Sequence, residues 1–371
     1  MSLSRSTRTV LVSGATGLVG GATLRHLLAT DPEVRVLALV RTREGGAALR
    51  LQLGELGSRV APVLGDVRQP ALGLDSGLRS ELRGRVSHLL HSAGDICFSR
   101  PLEQAREVNV AGTAHALELA ADLGASCRFA FVSTAYVAGR AQGHIAEEAT
   151  GGSRGFVNAY EQSKHEAEEL VRSAGRPFVV LRPSSIVCDS RDGSVTQVNA
   201  VHRAVWLYFS GLVPMLPGDE RTPLDLVPSD WVARAVVRLG LDPELNGRTF
   251  HLCAGSRAPA LGEIFDLTDS ILRRDPEFRR RGVSRPEVVP LPTYRLFERS
   301  VHELGEPKLV RIVQGLSHFI EQMALPKTFD TRGTEAAMGE PAPRVLDYWP
   351  RMVSHLLATQ WALTRKVPEA A

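Results

Sequence analysis

The sequence predicts an α/β chain built on a doubly wound parallel sheet, with a smaller, mainly helical C-terminal region. Three observations carry that prediction. Short apolar runs alternate with helically periodic segments from Thr9 to about Cys253, the order that joins parallel strands through crossover helices. The run Val34–Val40 is continuous in apolar residues except for Arg35, as a strand covered on both faces must be. A glycine-rich turn, Gly14-Ala-Thr-Gly17-Leu-Val-Gly20, separates the first strand from the first helix.

Taken in order, Thr9–Ser13 is a short β-branched run that stops at Gly14, and Leu18, Val19, Ala22, Leu24, Leu27 and Leu28 then recur at helical spacing. Val34–Val40, Val60–Leu64 and Val86–His91 read as the next three strands, followed by a helix over about Val108–Leu123. Phe129–Ser133 is a strand, Tyr160–Ala174 a helix and Phe178–Arg182 a strand. Beyond Asp189 the alternation weakens. Val195–Ser210 predicts an amphipathic helix, Met215–Val227 a Pro-rich loop with an extended piece, Asp230–Gly240 a helix and Thr249–Cys253 a last short strand. From about Ser256 the chain turns helical and Arg-rich, with periodic apolar residues over Leu261–Arg274, Tyr294–Leu304, Lys308–Met323 and Val345–Thr364. Pro286–Pro292 and Lys327–Pro343 read as connectors, and the change in pattern places a domain boundary at 255.

Composition narrows the function. The 371 residues carry 43% hydrophobic and 23% charged residues, ordinary for a globular chain and unlike a disordered or collagen-like one. A net charge of +3 over this length leaves no basic footprint for nucleic acid. Cys97, Cys127, Cys188 and Cys253 lie far apart without a Cys-x-x-Cys pair, so neither a metal site nor a disulfide framework is expected, and a reducing, cytoplasmic setting is. No apolar stretch approaches about 18 residues, so no membrane span is expected. Only four residues are Lys, against 40 Arg, which makes the position of each Lys informative.

The glycine-rich turn points to a phosphate. A helix N-terminus offers unpaired N–H groups and partial positive charge, and glycines let the backbone approach a pyrophosphate without a Cβ in the way. Gly14, Thr16, Gly17, Leu18, Val19 and Gly20 are the candidate contacts. The second strand ends in Leu39-Val-Arg41-Thr-Arg43, with no carboxylate before Glu44. An acidic residue there would bond the ribose 2′-hydroxyl of NAD, whereas a guanidinium suits a 2′-phosphate. Arg41 therefore predicts NADPH over NADH; the alternative is an ordinary exposed residue at a strand end.

Tyr160-Glu-Gln-Ser-Lys164 opens a helix, and residues four apart share one helix face. A nearby ammonium favours the phenolate and so eases proton donation by the phenol. Tyr-x-x-x-Lys by itself is mostly a solvated face. Here it is joined by Ser133-Thr134 at the end of the preceding strand, where a hydroxyl can reach a substrate oxygen.

With these residues in view, the sequence resembles an extended short-chain dehydrogenase/reductase. The resemblance rests on the turn Gly14 to Gly20, Gly65-Asp66-Val67, His91-Ser-Ala-Gly94, Asn109-Val-x-Gly-Thr113, Ser133-Thr134, Tyr160-x-x-x-Lys164 and Leu181-Arg-Pro183, and covers most of residues 8–255. It implies a Rossmann-type NADP-binding domain over residues 1–255, with a substrate-side insertion at about 190–230, and a helical substrate-binding or lid region over 256–371. It further implies adenine contacts from Asp66 and Val67, and a cofactor contact from Ala93. Asn109 would order the site, and Pro183 and Ser184 would lie beside the nicotinamide. Thr134 would bind the substrate oxygen, Tyr160 would donate the proton, and Lys164 would orient the ribose and tune Tyr160.

Within that superfamily the sequence is most similar to thioester reductases with a male-sterility-type NAD-binding domain: fatty acyl-CoA reductases and the terminal reductase domains of carboxylic acid reductases and nonribosomal synthetases. His91-Ser-Ala-Gly-Asp-Ile-Cys-Phe98 followed by Pro101-Leu, then Pro217-Gly-Asp219 and Asp225-Leu-Val-Pro-Ser-Asp-Trp231-Val, and more faintly Phe329-Asp-Thr331 with Tyr348-Trp349, carry it. His91-Ser92 departs from the commoner His-Ala. The resemblance implies reduction of an acyl-CoA or carrier-protein-bound acyl thioester to aldehyde, and on to alcohol if a second hydride follows. Thr134 and Tyr160 would stabilise the oxyanion, and no nucleophilic Cys is required. No adenylation or carrier segment precedes Gly14, so the carrier is expected in trans.

His88 and His91 read as core or turn residues. Val198, Val201, Val205, Trp206 and Phe209 read either as an acyl channel or as a second core. The helix Val345–Thr364 reads as a lid or packing helix, with a homodimer contact or a membrane-surface helix as alternatives. Two other functions stay open at this level: a ketone reductase or nucleotide-sugar epimerase of the same superfamily, and a non-catalytic dinucleotide sensor.

Overall fold

The computed structural model describes residues 8–148, 152 and 154–362. Among them, seven strands form the central sheet. In chain order these are β1 (Thr9–Ser13), β2 (Arg35–Val40), β3 (Val60–Leu64), β4 (His88–His91), β5 (Arg128–Val132), β6 (Phe178–Pro183) and β7 (Arg248–Leu252). Their spatial order is β7-β6-β5-β4-β1-β2-β3, and every pair in it is parallel. The chain builds outward from β1 through β2 to β3, then crosses back to lay β4 on the other side. That reversal opens a crevice outside the carboxyl ends of β1 and β4, the position where open α/β sheets bind ligands.

Strand alternation divides the core into two layers. Val10, Val12, Leu90, Leu181 and Phe250 pack with Leu24 and Leu28 of helix Leu18–Thr30 and with Trp231 and Val236 of helix Ser229–Gly240. Leu11, Leu89, Phe129, Phe131 and Val180 pack on the opposite face against Leu119 of helix Ala111–Leu123 and Ala167 and Val171 of helix Ala159–Ser173. Both faces of the sheet are thus covered, which is why its strands read as continuous apolar runs.

A second core gathers beyond the sheet. Val201, Val205 and Phe209 meet Ile264, Leu272, Tyr348, Trp349, Met352 and Leu356. The Trp349 indole donates to Thr268 (2.9 Å) and the Tyr348 hydroxyl to the Leu226 carbonyl (3.1 Å). Of the two readings of Val201, Val205 and Phe209, the second core is therefore the correct one. The helix that carries Tyr348 and Trp349 runs over Val345–Ala358 and is a packing helix, its apolar face covered within the chain. Residues 363 and 364 of its predicted span lie outside the described residues.

Several boundaries shift for local reasons. The predicted helix Val195–Ser210 begins only at Ala200, because the Asn199 side chain accepts from the Val201 and His202 amides and caps it there. The predicted helix Val108–Leu123 is two helices, Leu102–Asn109 and Ala111–Leu123, which meet at Val110. Both predicted connectors contain strands. Glu287–Val289 pairs with Met215–Pro217, and Lys327–Phe329 with Gly143–Ile145. Arg332–Met338 is a short helix held by Glu147, whose carboxylate accepts from the Gly333 and Thr334 amides and the Thr334 hydroxyl. Pairings this far apart in sequence leave no local periodicity to read.

One buried ion pair locks β6 to the helix that carries Tyr160. The Arg182 guanidinium donates twice to Glu168 (2.9 and 2.6 Å), and both side chains are 1% exposed. Arg172 adds a third bond to the same carboxylate. Burial pushes the Glu168 carboxyl up, but the Arg182 guanidinium outweighs it and holds the group down at about 2. Removing the carboxylate strands a buried cation. Glu168→Ala should cost about 3–5 kcal/mol, read as a lowered urea midpoint. Because the folded carboxyl titrates below its unfolded value, the pair stabilises above the ordinary carboxylate range and is lost as pH falls toward 2. Acid unfolding of Glu168→Ala should accordingly be less steep than that of the parent, and an unchanged urea midpoint would remove the pair from this role.

Candidate active site

The glycine-rich turn sits at the crevice. Gly14 has φ +71°, and a Cβ built on it would lie 2.5 Å from the Ala93 nitrogen. A Cβ on Gly20 would lie 2.2 Å from the Gly14 carbonyl oxygen. These two positions therefore require glycine, because β1, the turn and the loop after β4 approach at backbone distance. Thr16 and Gly17 are exposed at the tip, and Leu18 and Val19 are half-buried behind it. Helix Leu18–Thr30 starts at Gly17 with no side-chain cap and no acidic residue in its first turn. Its first N–H groups and its dipole are left for an anion. The residues present thus fit the pyrophosphate of a dinucleotide.

The flanking residues converge on the same edge. Arg41 is exposed at the end of β2, within electrostatic reach of Asp66. Asp66, just past β3, is held by a bidentate pair with Arg68, whose hydrogen bonds keep its carboxyl below the usual range. Val67 packs on Gly112 of helix Ala111–Leu123, and its carbonyl accepts from His115 (2.9 Å). The Ala93 amide approaches the Ser13 hydroxyl at 3.4 Å. His91 is fully buried, bonded to Ser13 (2.7 Å) and stacked on Phe131, and burial drives its imidazole down to about 3. His88 is likewise buried and held down at about 4. Both are core residues.

Asn109 is buried at the end of a helix and works in three directions. Its carbonyl accepts from the Asp95 amide (2.8 Å), and its amide donates to the Asp95 carbonyl (3.0 Å) and the Ser163 hydroxyl (2.9 Å). Ser163 in turn donates to the Tyr160 carbonyl (3.0 Å). The loop after β4 is thereby tied to the first turn of helix Ala159–Ser173. That helix starts where it does because the Asn158 side chain accepts from the Glu161 amide.

Tyr160 is half-buried under Phe98, with ring centroids 5.4 Å apart. Thr134 is buried beyond β5; its hydroxyl accepts from the Tyr136 amide and lies 3.5 Å from the Pro183 carbonyl. Burial pushes the Tyr160 phenol up to about 12, while the Thr134 hydroxyl pulls it down. Lys164 is buried, donates to the Val132 carbonyl (2.8 Å) and lies 4.1 Å from the centroid of the Phe131 ring. Burial brings its ammonium down to about 7. Lys164 gives one N–H to the last carbonyl of β5, and loss of solvent governs the phenol. Pro183 closes β6, and Ser184 is buried behind it, beside Asp225.

A cleft opens beside Asp225, and Thr134, Tyr160 and Lys164 are not among the residues that line it. Tyr136, Asp225, Gln322 and Lys327 give it polar walls, and Leu224 and Met323 are among its apolar ones. None of Val198, Val201, Val205, Trp206 and Phe209 lines it. Sequence patterning does not mark Tyr136, Gln322 or Lys327 as site residues; the scarcity of Lys is the available signal for Lys327. Among the described residues, no cluster of three or more His, Cys, Asp or Glu is placed to hold a metal ion, and no helix is long and apolar enough to cross a membrane.

Fold and site together define the extended short-chain dehydrogenase/reductase class of oxidoreductases. The chain belongs to the NAD-binding family described as Male sterility protein, whose model matches residues 12–236. A linear gramicidin synthase polypeptide of Brevibacillus parabrevis is 32% identical over 260 residues, which are 65% of this chain and 5% of that protein. The large subunit of L-2-aminoadipate reductase of Penicillium chrysogenum is 29% identical over 269 residues, 64% of this chain and 19% of that one. The chain therefore spans a small part of these relatives. Among solved structures, the terminal R domain of the myxalamid PKS-NRPS biosynthetic pathway superposes with a TM-score of 0.80 at 26% identity, covering 97% of this chain and 93% of that one.

The turn makes a direct prediction. Gly20→Ala forces its Cβ against the Gly14 carbonyl, a clash the backbone relieves only by moving. Such overpacking should cost about 1–3 kcal/mol and lower affinity for a nicotinamide dinucleotide at least tenfold, measured by quenching of protein fluorescence. Unchanged affinity would separate the turn from dinucleotide binding.

Proposed function

We propose that this chain is an NADPH-dependent reductase of acyl thioesters, acting on acyl-CoA or on an acyl group carried by a phosphopantetheine protein. The observation that supports it most directly is the placement of Thr134 after β5 and of Tyr160 in the first turn of helix Ala159–Ser173, at the same sheet edge as the glycine-rich turn. The first turn of helix Leu18–Thr30 would receive the pyrophosphate, Arg41 the 2′-phosphate, and Asp66 and Val67 the adenine. Ala93, Asn109, Pro183 and Ser184 would frame the nicotinamide end. When bound, the dinucleotide supplies hydride to a carbonyl carbon.

The chain's own residues handle the oxygen. The Thr134 and Tyr160 hydroxyls donate to the carbonyl oxygen as negative charge develops there, a stabilisation worth most in a site shielded from water. A phenol raised to about 12 stays protonated at neutral pH, and so arrives as a donor. Tyr160 gives up its proton as the oxygen becomes basic. Lys164, held by the Val132 carbonyl, is one step along the helix face and would orient the ribose and stabilise the phenolate left behind. Collapse of the resulting hemithioacetal expels thiol and leaves aldehyde. Residues 1–255 form the dinucleotide-binding unit in this reading and residues 256–371 the acyl side, with Lys327–Phe329 returning to pair beside Tyr136.

The relatives that carry a reductase name, and the R domain in particular, support thioester over ketone as substrate. The test is a panel of acyl-CoA and acyl-pantetheine substrates with NADPH, following free thiol, aldehyde and alcohol separately. Thiol release in step with NADPH oxidation is expected; none with any thioester would overturn the reading. Tyr160→Phe should lower kcat about 10²–10⁴-fold with dinucleotide affinity unchanged. Arg41→Ala should raise KM for NADPH about tenfold and leave that for NADH within twofold, since only one of the two carries the phosphate. A parent enzyme that prefers NADH would refute the assignment of Arg41.

A further inference from the structure

Lys327 is a cation in an unusual place. It is 7% exposed, yet it is among the residues that line the cleft. Its nitrogen donates to the Gly139 carbonyl (2.6 Å) and to the Gln322 side-chain oxygen (2.9 Å). An ammonium has three N–H bonds to give, so one remains uncommitted among the described residues. The two anchors fix where it lies. Gly139 ends the short turn that begins at Ala135, and Gln322 is itself held by the buried Glu161 carboxylate, the residue after Tyr160. Burying an ammonium costs free energy that two neutral acceptors recover only in part. Burial accordingly depresses its basicity, while Glu161 opposes the fall.

The cleft around it is mixed. Leu224, Leu261, Met323 and Phe329 supply apolar wall. The Asp225 carboxylate is already taken up by the Ala254 and Gly255 amides (2.8 and 2.9 Å), and the Tyr136 hydroxyl is paired with Ser185 (2.8 Å). Lys327 is thus the cationic donor that this wall offers to an occupant. A plain alkyl chain would leave that N–H dry and unsatisfied, which is unfavourable. A chain with a carbonyl oxygen at that depth would satisfy it through a charge-assisted bond.

We propose that Lys327 is a specificity-determining residue of the acyl site, donating its free N–H to a hydrogen-bond acceptor within the acyl chain, so that the cleft selects oxygenated or amide-bearing acyl groups over plain alkyl ones. This rests on the thioester-reductase reading above. The residue acts on binding of the chain and has no part in the transfer of hydride or proton.

The test is equilibrium binding to the full chain with NADP⁺ present, by calorimetry. Two non-reducible pantetheine thioethers of equal chain length serve as probes, one with a plain alkyl chain and one with an amide in it. The parent protein should bind the amide-bearing probe at least tenfold more tightly. Lys327→Met should bring that ratio to about one, and Lys327→Arg should keep most of it. Equal affinity of the parent for both probes overturns the proposal, even if Lys327→Met fails to fold. So does a Lys327→Met protein whose ratio is unchanged. The amide preference together with no turnover of any thioester would retain the role of Lys327 in binding and remove the reductase reading instead. Turnover of thioesters without the preference would do the reverse.

Discussion

All seven strands of the central sheet run the same way, so their carboxyl ends share one edge and the loops leaving that edge converge on one crevice. The glycine-rich turn follows β1, Arg41 follows β2, Asp66 follows β3, Ala93 follows β4, Thr134 follows β5 and Ser184 follows β6. No short-range interaction brings these six positions together. They meet because each crossover helix returns the chain to the same end before the next strand begins, and because the apolar strands can be buried only when both faces are covered. Reversing a single strand would carry its loop to the opposite edge. The sheet's direction is therefore the constraint on which the site depends, and packing of Leu11, Phe129 and Phe131 under helix Ala159–Ser173 is its local expression at Tyr160.

Around that edge several buried or half-buried charged groups are partnered within the chain. Glu168 lies between two guanidiniums, Lys164 rests on a strand carbonyl, and Glu147 gathers amides from a distant helix. Asp225 is held by two backbone amides, and burial still raises its carboxyl to about 6. Such pairs add little net stability compared with apolar packing, but they are costly to break one-sidedly. Their consequence here is positional. Arg182 and Glu168 hold β6 against the helix of Tyr160, and Asn109 holds the loop after β4 against the first turn of the same helix. The helix that carries the phenol is thereby fixed from two sides.

Much of this architecture is legible in the chain alone. The strand–helix alternation, the parallel sheet and the glycine-rich turn follow from hydrophobic periodicity and from two glycines whose Cβ would collide with backbone. Those signals are local, so one chain suffices to read them. Boundaries are less so. The start of helix Ala200–Phe209 depends on the cap at Asn199, which an apolar count over Val195 and Val198 overlooks. The strand Lys327–Phe329 reads as a connector because its partner, Gly143–Ile145, lies almost two hundred residues away.

The amino-acid sequence by itself determined the class of fold, the edge where a dinucleotide belongs and the spacing of Tyr160 and Lys164 on one helix face. It could do so because these depend on spacings within one strand–turn–helix unit. Tertiary structure alone decided the rest. It assigned the apolar face of Val201, Val205 and Phe209 to a core and gave Lys164 the last carbonyl of β5 as a partner. It also brought Lys327 and Gln322 from the far end of the chain to the side of Tyr136 and Glu161. The physical reason is the same in each case. Desolvation and hydrogen-bond partners belong to a point in space, and only the folded chain says which residues occupy it.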